Sequence, residues 1–441
     1  MLLASTLAER GQSLFGLFVF TLIALLIGRA RGARQVPWRV VIWGIALQFI
    51  FGAVVLFVPR LLEAVQYAVQ ALLDFTREGA TLVFGDLAKG EGVAVTGTGT
   101  GGPIIGYAKS AGYFAFFVLP TIIFFSSLTA VAYHSGIMQY IVQGLAWIMA
   151  KSTGTSGAET LSTAANIFVG QTEAPLMIRP FVAACTNSEL MVIMVGGFAN
   201  IASGVLGLYT AWLGPFIESA GGHLAAACFI SAPATLVVGK LLLPETQTPQ
   251  TAGGIEFKIE RIDANLVDAA ARGTSEGLTL ALNVAAMLIS FTALVALMNA
   301  ILAWCFVKLG FKTTGGEPMT LQSLLGYVMA PLAWLSGVSW HDARPVGSLL
   351  GVKTVLNELI AYSQMKDMFA ADPNFISKRS ALIALYALCG FANFASVGIQ
   401  VGGISTLAPN RRHDLSRIGL LAMVGGAIAS FMAACVVGVL M

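Results

Sequence analysis

Residues 197–203 read GFANIAS, and residues 390–396 read GFANFAS. Six of the seven positions agree, and the copies begin 193 residues apart. Each lies in a long apolar run. Each also follows an acid that is itself set in apolar sequence: Glu173 in NIFVGQTEAPLMI and Glu358 in GVKTVLNELIAY. A polar, glycine-containing heptad inside a membrane-length segment is costly in lipid, because backbone freed by unwinding needs protein or a water-filled cavity to satisfy it. Chance repetition in a Gly- and Ala-rich chain would not also repeat the upstream acid. Paired, interrupted hydrophobic segments in two halves of a chain point to the site of a secondary transporter.

Composition agrees with a membrane setting. The 441 residues are 57% hydrophobic and 11% charged, against about a quarter charged in soluble proteins. A net charge of +3, with no basic run interleaved with aromatics, gives no reason to expect nucleic acid. Cys185, Cys228, Cys305, Cys389 and Cys435 are scattered through apolar sequence without a CxxC spacing, and read as small packing residues. His134, His223, His341 and His413 show no ligand spacing either. The N-terminal apolar run follows an acid and a base and precedes no small-residue cleavage site, so it reads as a first membrane helix.

A spanning helix needs about 20 mostly apolar residues. Spans are expected at 11–28, 40–59, from 110 to the His134-Ser135-Gly136 break, 190–217, 219–239, 277–307, 381–410 and 418–441. The amphipathic LLEAVQYAVQALLDF reads as an interfacial helix. GVAVTGTGTGGP reads as a loop. GIMQYIVQGLAWIMA and LQSLLGYVMAPLAWL read as in-plane helices. Residues 155–186 and 342–372 are apolar but interrupted, by GQTEAP and VKTVLNEL, and each predicts two short helices meeting at a re-entrant tip.

The predicted fold is therefore an all-α polytopic membrane protein with eight transmembrane helices and two opposed re-entrant hairpins. Residues 1–109 form scaffold helices and the interfacial helix, and 110–150 the third span and first in-plane helix. Residues 151–243 make a first transport repeat, 244–276 a polar linker, 277–340 the sixth span and second in-plane helix, and 341–441 a second transport repeat. Arg29, Arg31, Arg34 and Arg39 follow the first span, and Arg411, Arg412 and Arg417 precede the last. Basic connections face the cytoplasm, so both termini are expected outside. Parity then brings the first hairpin in from the cytoplasm and the second from outside, an inverted repeat.

An acid at membrane depth costs at least a few kcal/mol and marks function by default. The structural alternative for each is an ion pair, Glu173 with Arg179 and Glu358 with Lys353. A carboxylate accepts two hydrogen bonds at once, which matches two vicinal hydroxyls such as those of a ribose. An amide such as Gln171 both donates and accepts, which suits the edge of a base. Asn200, Asn393 and Ser396 of the repeated heptads are candidates for ligand or ion contact; the asparagines are equally suited to satisfying freed backbone.

At these motifs the chain resembles the concentrative nucleoside transporter family. The resemblance rests on Gly351-Val-Lys353-Thr-Val-Leu-Asn357-Glu358-Leu359-Ile360-Ala361-Tyr362, on GQTEAPL at 170–176 and on CGFANFAS at 389–396. Leu359 and Ile360 replace the family's usual Phe-Val. The resemblance covers nearly the whole chain and implies a homotrimer in the bacterial inner membrane that imports nucleosides with a cation. It implies base contacts from Gln171, Thr172, Glu173 and Val205, and ribose contacts from Glu358, Asn393 and Ser396 with Phe391 nearby. It also implies a sodium site at Asn166, Val169, Asn200 and Ile201, partly through backbone carbonyls. Asn200 stands where sodium-coupled members commonly carry Ser or Thr. Sodium is the expected coupling ion, the proton is the alternative, and no other cofactor is expected. An intramembrane enzyme would need a nucleophile, base or metal cluster, and a passive channel would not need the repeated hairpins.

Overall fold

Membrane-length apolar runs form helices because only a helix satisfies every backbone group within the segment. The computed structural model describes residues 5–89, 93–96, 104–108, 114–253, 263–308 and 320–441. α1 (Leu7–Ala30) starts on a capping box in which Glu9 accepts from the Thr6 amide at 2.7 Å and Thr6 Oγ1 accepts from the Glu9 amide at 3.3 Å. α2 (Trp38–Phe57) follows the Arg-rich connection, and α3 (Pro59–Phe84) is the amphipathic helix, begun by a proline at its first turn. α4 (Asp86–Lys89) is a single turn.

The expected Gly/Thr loop is in part a hairpin. β1 (Val93–Thr96) and β2 (Ile104–Ala108) pair antiparallel, Val93 opposite Ala108. Apolar residues, β-branched in places, flank a glycine-rich stretch, which is hairpin chemistry. The expectation of a purely helical chain is corrected to that extent; residues 97–103 of the loop lie outside the described residues.

α5 (Phe114–His134) and α6 (Ile137–Thr153) meet at the expected break, bent by 77°, with Gly136 at φ 83°. The first hairpin is α7 (Gly157–Ala165), an irregular tip, a 3₁₀ turn (Ala174–Ile178) and α8 (Arg179–Val182). Its second arm is less regular than expected because Pro175 and Pro180 each remove a backbone donor. α9 (Asn187–Ala199) and α10 (Ser203–Leu213) are one apolar segment broken at Asn200. α11 (Ala220–Leu242) follows.

α12 (Leu266–Lys308) begins well before the expected sixth span. Asn265 Oδ1 accepts from the Val267 and Asp268 amides, both at 3.0 Å, and so starts the helix inside the polar linker. Residues 254–262 and 309–319 lie outside the described residues. α13 (Leu321–Leu335) and α14 (Trp340–Val355) are bent by 117°, and α15 (Glu358–Ala371) completes the second hairpin. α16 (Lys378–Leu388) and α17 (Phe394–Leu407) are again one segment broken at the repeated heptad. A 3₁₀ turn (Pro409–Arg411) leads to α18 (Arg412–Leu440), which starts six residues earlier than expected.

Among the described residues six helices are long and apolar enough to cross a membrane, or up to eight if each bent pair counts as one span. The hairpin, broken helix and long helix occur in that order twice. α9–α10, α11 and α18 form the interior, with 83%, 89% and 78% of their apolar windows buried, against 33% for α1 and 17% for α12. The outer helices show large apolar side chains such as Phe18, Ile42, Ile289 and Trp304, which is what lipid or a partner chain requires.

The base of the first hairpin is fixed by buried polar chemistry. Lys240 of α11 lies 2.8 Å from Glu159 of α7, 3.3 Å from Glu245 and 2.9 Å from Ser188 of α9. Ser156, which caps α7, donates to Glu189 at 2.6 Å, and Thr186, which caps α9, donates to Glu245 at 2.8 Å. Two helix starts are thereby held on one ammonium. Removing one partner of such a buried pair typically costs about 3–5 kcal/mol.

Candidate functional site

The two copies of the heptad meet in space. Gly390 has φ 132°, and a Cβ there would lie 2.7 Å from the Phe198 carbonyl oxygen and 2.8 Å from that of Ala199. Only glycine fits such a conformation at so close a backbone approach. Ser430 of α18 donates its hydroxyl into the same crossing, with the Cys389 carbonyl at 2.8 Å and the Ala199 carbonyl at 3.5 Å. Cys228 of α11 and Cys389 have their sulfurs 3.9 Å apart. Carbonyls freed by the two breaks are therefore met by side chains of neighbouring helices, as unwound backbone inside a membrane demands.

Glu358 stands beside this crossing. It is the first residue of α15, whose cap Asn357 accepts from the Ile360 amide at 2.9 Å. A helix N-terminus favours a carboxylate. Oε1 accepts from the Tyr209 hydroxyl at 3.2 Å, and Oε2 from Asn393 Nδ2 at 3.1 Å. Asn393 in turn accepts from the Ser396 amide at 2.9 Å, which caps α17 and fixes its own amide. Glu358, Asn393 and Ser396 are all buried. The ion pair weighed for Glu358 does not form. Lys353 Nζ instead donates to the Ala387 carbonyl at 2.9 Å, serving the end of α16.

The tip of the first hairpin approaches the same place from the other side. Gln171 Nε2 donates to Ser396 Oγ at 3.5 Å. Thr172 packs on Gly403, where a Cβ would come within 2.6 Å of its methyl group. Glu173 is exposed, accepts from the Thr172 hydroxyl at 3.1 Å and makes no ion pair with Arg179. Val205 is buried on the first turn of α10, one turn before Tyr209 on the same face. Phe391 is half-buried in the second break. The expected base and ribose groups thus converge, joined directly through Gln171 and Ser396.

The third group lies where the hairpin tip meets the first break. The Ser203 amide donates to the Phe168 carbonyl at 3.3 Å. Asn166, Val169, Asn200 and Ile201 are all buried. Asn166 ends α7 and sits against Gly196 of α9. Asn200 Oδ1 accepts from Ser231 of α11. The Nδ2 atoms of both asparagines are buried without a hydrogen-bond partner. Such orphans are uncommon and call for an explanation.

Tyr209, Ser231, Ser430 and Gln400 escape a reading of the sequence. Each is one of several polar residues in a mostly apolar helix, and only Tyr209 carries a signal, lying about two turns beyond GFANIAS.

The geometry can be set beside known proteins. The profile for Na⁺ dependent nucleoside transporter C-terminus matches residues 223–438, that for its N-terminus residues 15–87, and that for the nucleoside recognition Gate residues 115–216. The chain is 42% identical over 438 residues to the uncharacterized transporter YutK of Bacillus subtilis (strain 168), covering 96% of this chain and 98% of that one. It is 37% identical over 452 residues to solute carrier family 28 member 3 of Eptatretus stoutii, covering 98% of this chain and 61% of the relative. It is 38% identical over 447 residues to sodium/nucleoside cotransporter 1 of Rattus norvegicus, with 98% and 64% covered. The chain spans less than two thirds of the length of these two animal relatives. Among solved structures it is similar to CNTnw in an inward-facing substrate-bound state, with TM-score 0.84, 36% identity and 97% of both chains covered. A doubly substituted CNTnw in an outward-facing state gives TM-score 0.87 at 36% identity, with 98% and 97% covered.

Proposed function

The chain belongs to the Na⁺ dependent nucleoside transporter family, and from that premise we propose that it imports nucleosides by symport with sodium. The observation that carries this reading is the buried carboxylate of Glu358, held by Tyr209 and Asn393, with the Gln171 amide of the first hairpin tip joined to Ser396 of the same α17 first turn that Asn393 caps. Glu358, Asn393 and Ser396 take the ribose hydroxyls, with Phe391 beside the sugar. Gln171, Thr172 and Glu173 take the base, against Val205. The ribose pair is prepared, because the donors that orient Glu358 leave lone pairs on both oxygens.

Sodium binds between the first hairpin and the α9–α10 break, at Asn166, Val169, Asn200 and Ile201. The Ser231 hydroxyl has one proton, and the Ala227 carbonyl stands 2.8 Å away to receive it. With that proton given to Ala227, the Asn200 amide turns over, donates through Nδ2 to Ser231, and offers Oδ1 to the cation. The same turn removes the orphaned amide nitrogen. The proton alternative would place the coupling charge on a carboxyl such as Glu173.

The architecture suited to this work is eight spans and two opposed hairpins in the bacterial inner membrane, with both termini outside. Alternating access comes from the two transport repeats moving against the scaffold. The chain assembles as a homotrimer, which would cover apolar surface such as that of α12.

The test is counterflow of labelled uridine in proteoliposomes, with and without a sodium gradient and with pH varied separately. Sodium-dependent exchange is expected. Exchange that ignores sodium and follows an imposed pH gradient would replace sodium by the proton, and no nucleoside exchange at all would overturn the reading.

A further inference from the structure

Two acid-free segments meet at one end of the helix bundle. No Asp or Glu stands between Arg10 and Glu63, nor between Glu91 and Glu159. The first segment supplies the end of α1 and the start of α2, with Arg29, Arg31, Arg34 and Arg39; the second supplies the end of α6, with Lys151. Arg39 joins them, its Nε donating to the Ser152 carbonyl at 3.0 Å and its Nη2 to the Lys151 carbonyl at 2.8 Å. Gln35, Val36 and Pro37 line one cleft with Gly154 and Thr155 at the base of the first hairpin. The acids of that cleft, Glu159 and Glu245, are paired with Lys240. Arg29, Arg31, Arg34 and Lys151 are exposed, and among the described residues none of the four has a carboxylate partner.

We infer that Arg29, Arg31, Arg34 and Lys151 hold the phosphate headgroup of an anionic phospholipid, whose acyl chains lie on the outer face of α6. Val142, Ala146, Met149 and Thr153 form the buried stripe of that helix. Tyr140, Trp147 and Ile148 point the other way, and Trp147 is 61% exposed. The Lys151 ammonium lies 4.7 Å from the centre of the Trp147 ring. An apolar face with outward aromatics and a cation at its end suits the boundary between acyl chains and headgroups. Clusters of roughly four to eight Lys or Arg beside a membrane helix attract anionic lipid. A soluble phosphate would meet the cations but leave Trp147 and Ile148 in water, whereas a lipid covers both parts of the surface. Because Arg39 ties the end of α6 to the start of α2, a headgroup bound here bridges α1, α2 and α6, and a ligand held by the folded state stabilises it.

The experiment follows thermal unfolding of the purified protein in a neutral detergent as phosphatidylglycerol, phosphatidylcholine or glycerol phosphate is added. Phosphatidylglycerol is expected to raise the melting temperature saturably, and the other two should not. Arg31→Gln combined with Arg34→Gln should raise the half-saturating phosphatidylglycerol concentration on the order of twentyfold, about fivefold per cation removed. Arg412→Gln combined with Arg417→Gln removes the same charge from the connection before α18, and should leave half-saturation as in wild type. An unchanged half-saturation in the first variant would overturn the inference. Equal losses in both variants would overturn it as well, because they would trace the effect to net charge and not to this site. Wild type that responds equally to the two phospholipids, or as strongly to glycerol phosphate, would overturn it without any variant, so the test survives an Arg31→Gln, Arg34→Gln protein that fails to fold.

Discussion

Glu358 is a carboxylate at a helix start with two donors already in place, from Tyr209 and Asn393. Its worth to transport is measurable one atom at a time. Glu358→Gln keeps the shape and removes the charge. Hydrogen bonds to charged groups are worth about 1.5–3 kcal/mol, so nucleoside affinity should fall roughly ten- to a hundredfold, read as binding heat or as half-saturation of uptake. Near-normal uptake by this variant would remove Glu358 from the ribose site. Tyr209→Phe deletes one donor and should weaken affinity less, by about two- to tenfold. Because the tyrosine acts through the carboxylate, adding Tyr209→Phe to Glu358→Gln should have little further effect, and full additivity would show that the two act separately.

Helix breaks at the heptads depend on partners from other elements. Gly390 has a backbone conformation open to glycine and touches the carbonyls of the first heptad. Gly390→Ala should destabilise the protein by about 1–3 kcal/mol from strain alone, with steric overlap adding to that. Ser430→Ala removes the hydroxyl shared by the two breaks. An unmet buried carbonyl costs about 1–3 kcal/mol, so this variant should also melt earlier. Both are read by thermal unfolding followed by size-exclusion in detergent. A wild-type melting curve for either would mean that the crossing of the two heptads is not a rigid joint.

Across the molecule, the proposed sodium site and the proposed nucleoside site share the tip of the first hairpin. Asn166 and Val169 precede the tip, and Gln171 and Thr172 form it. A cation that fixes the tip against the α9–α10 break should raise nucleoside affinity. By linkage, nucleoside must raise sodium affinity by the same factor. Titrating each ligand at several fixed concentrations of the other checks that equality, and independent affinities would refute the coupling. Asn200→Ala should weaken sodium dependence more than maximal uptake. Asn200→Ser, which retains an oxygen, should keep the coupling, and loss of coupling in that variant would move the cation elsewhere.

The sequence by itself determined the membrane class, the interrupted segments and the acids within them, because hydrophobic length and the cost of polar groups in lipid are local properties. The breaks at Gly136, at the hairpin tips and at both heptads stand where glycine and polar residues sit in apolar runs. Tertiary structure decided which partners satisfy them. Lys353 is five residues from Glu358 in the chain, yet it serves the Ala387 carbonyl, while Tyr209 and Asn393 hold the acid from other helices. α12 and α18 begin before their apolar stretches, α12 on the Asn265 cap and α18 on a polar first turn, which is local chemistry that a count of apolar residues passes over. Ser430, Ser231 and Gln400 look like ordinary polar residues in apolar helices until the fold sets Ser430 against carbonyls at the two breaks, Ser231 against Asn200 and Gln400 against the Met194 carbonyl. A hydrogen bond needs two groups within about 3 Å, and only the packing of distant segments brings these groups that close.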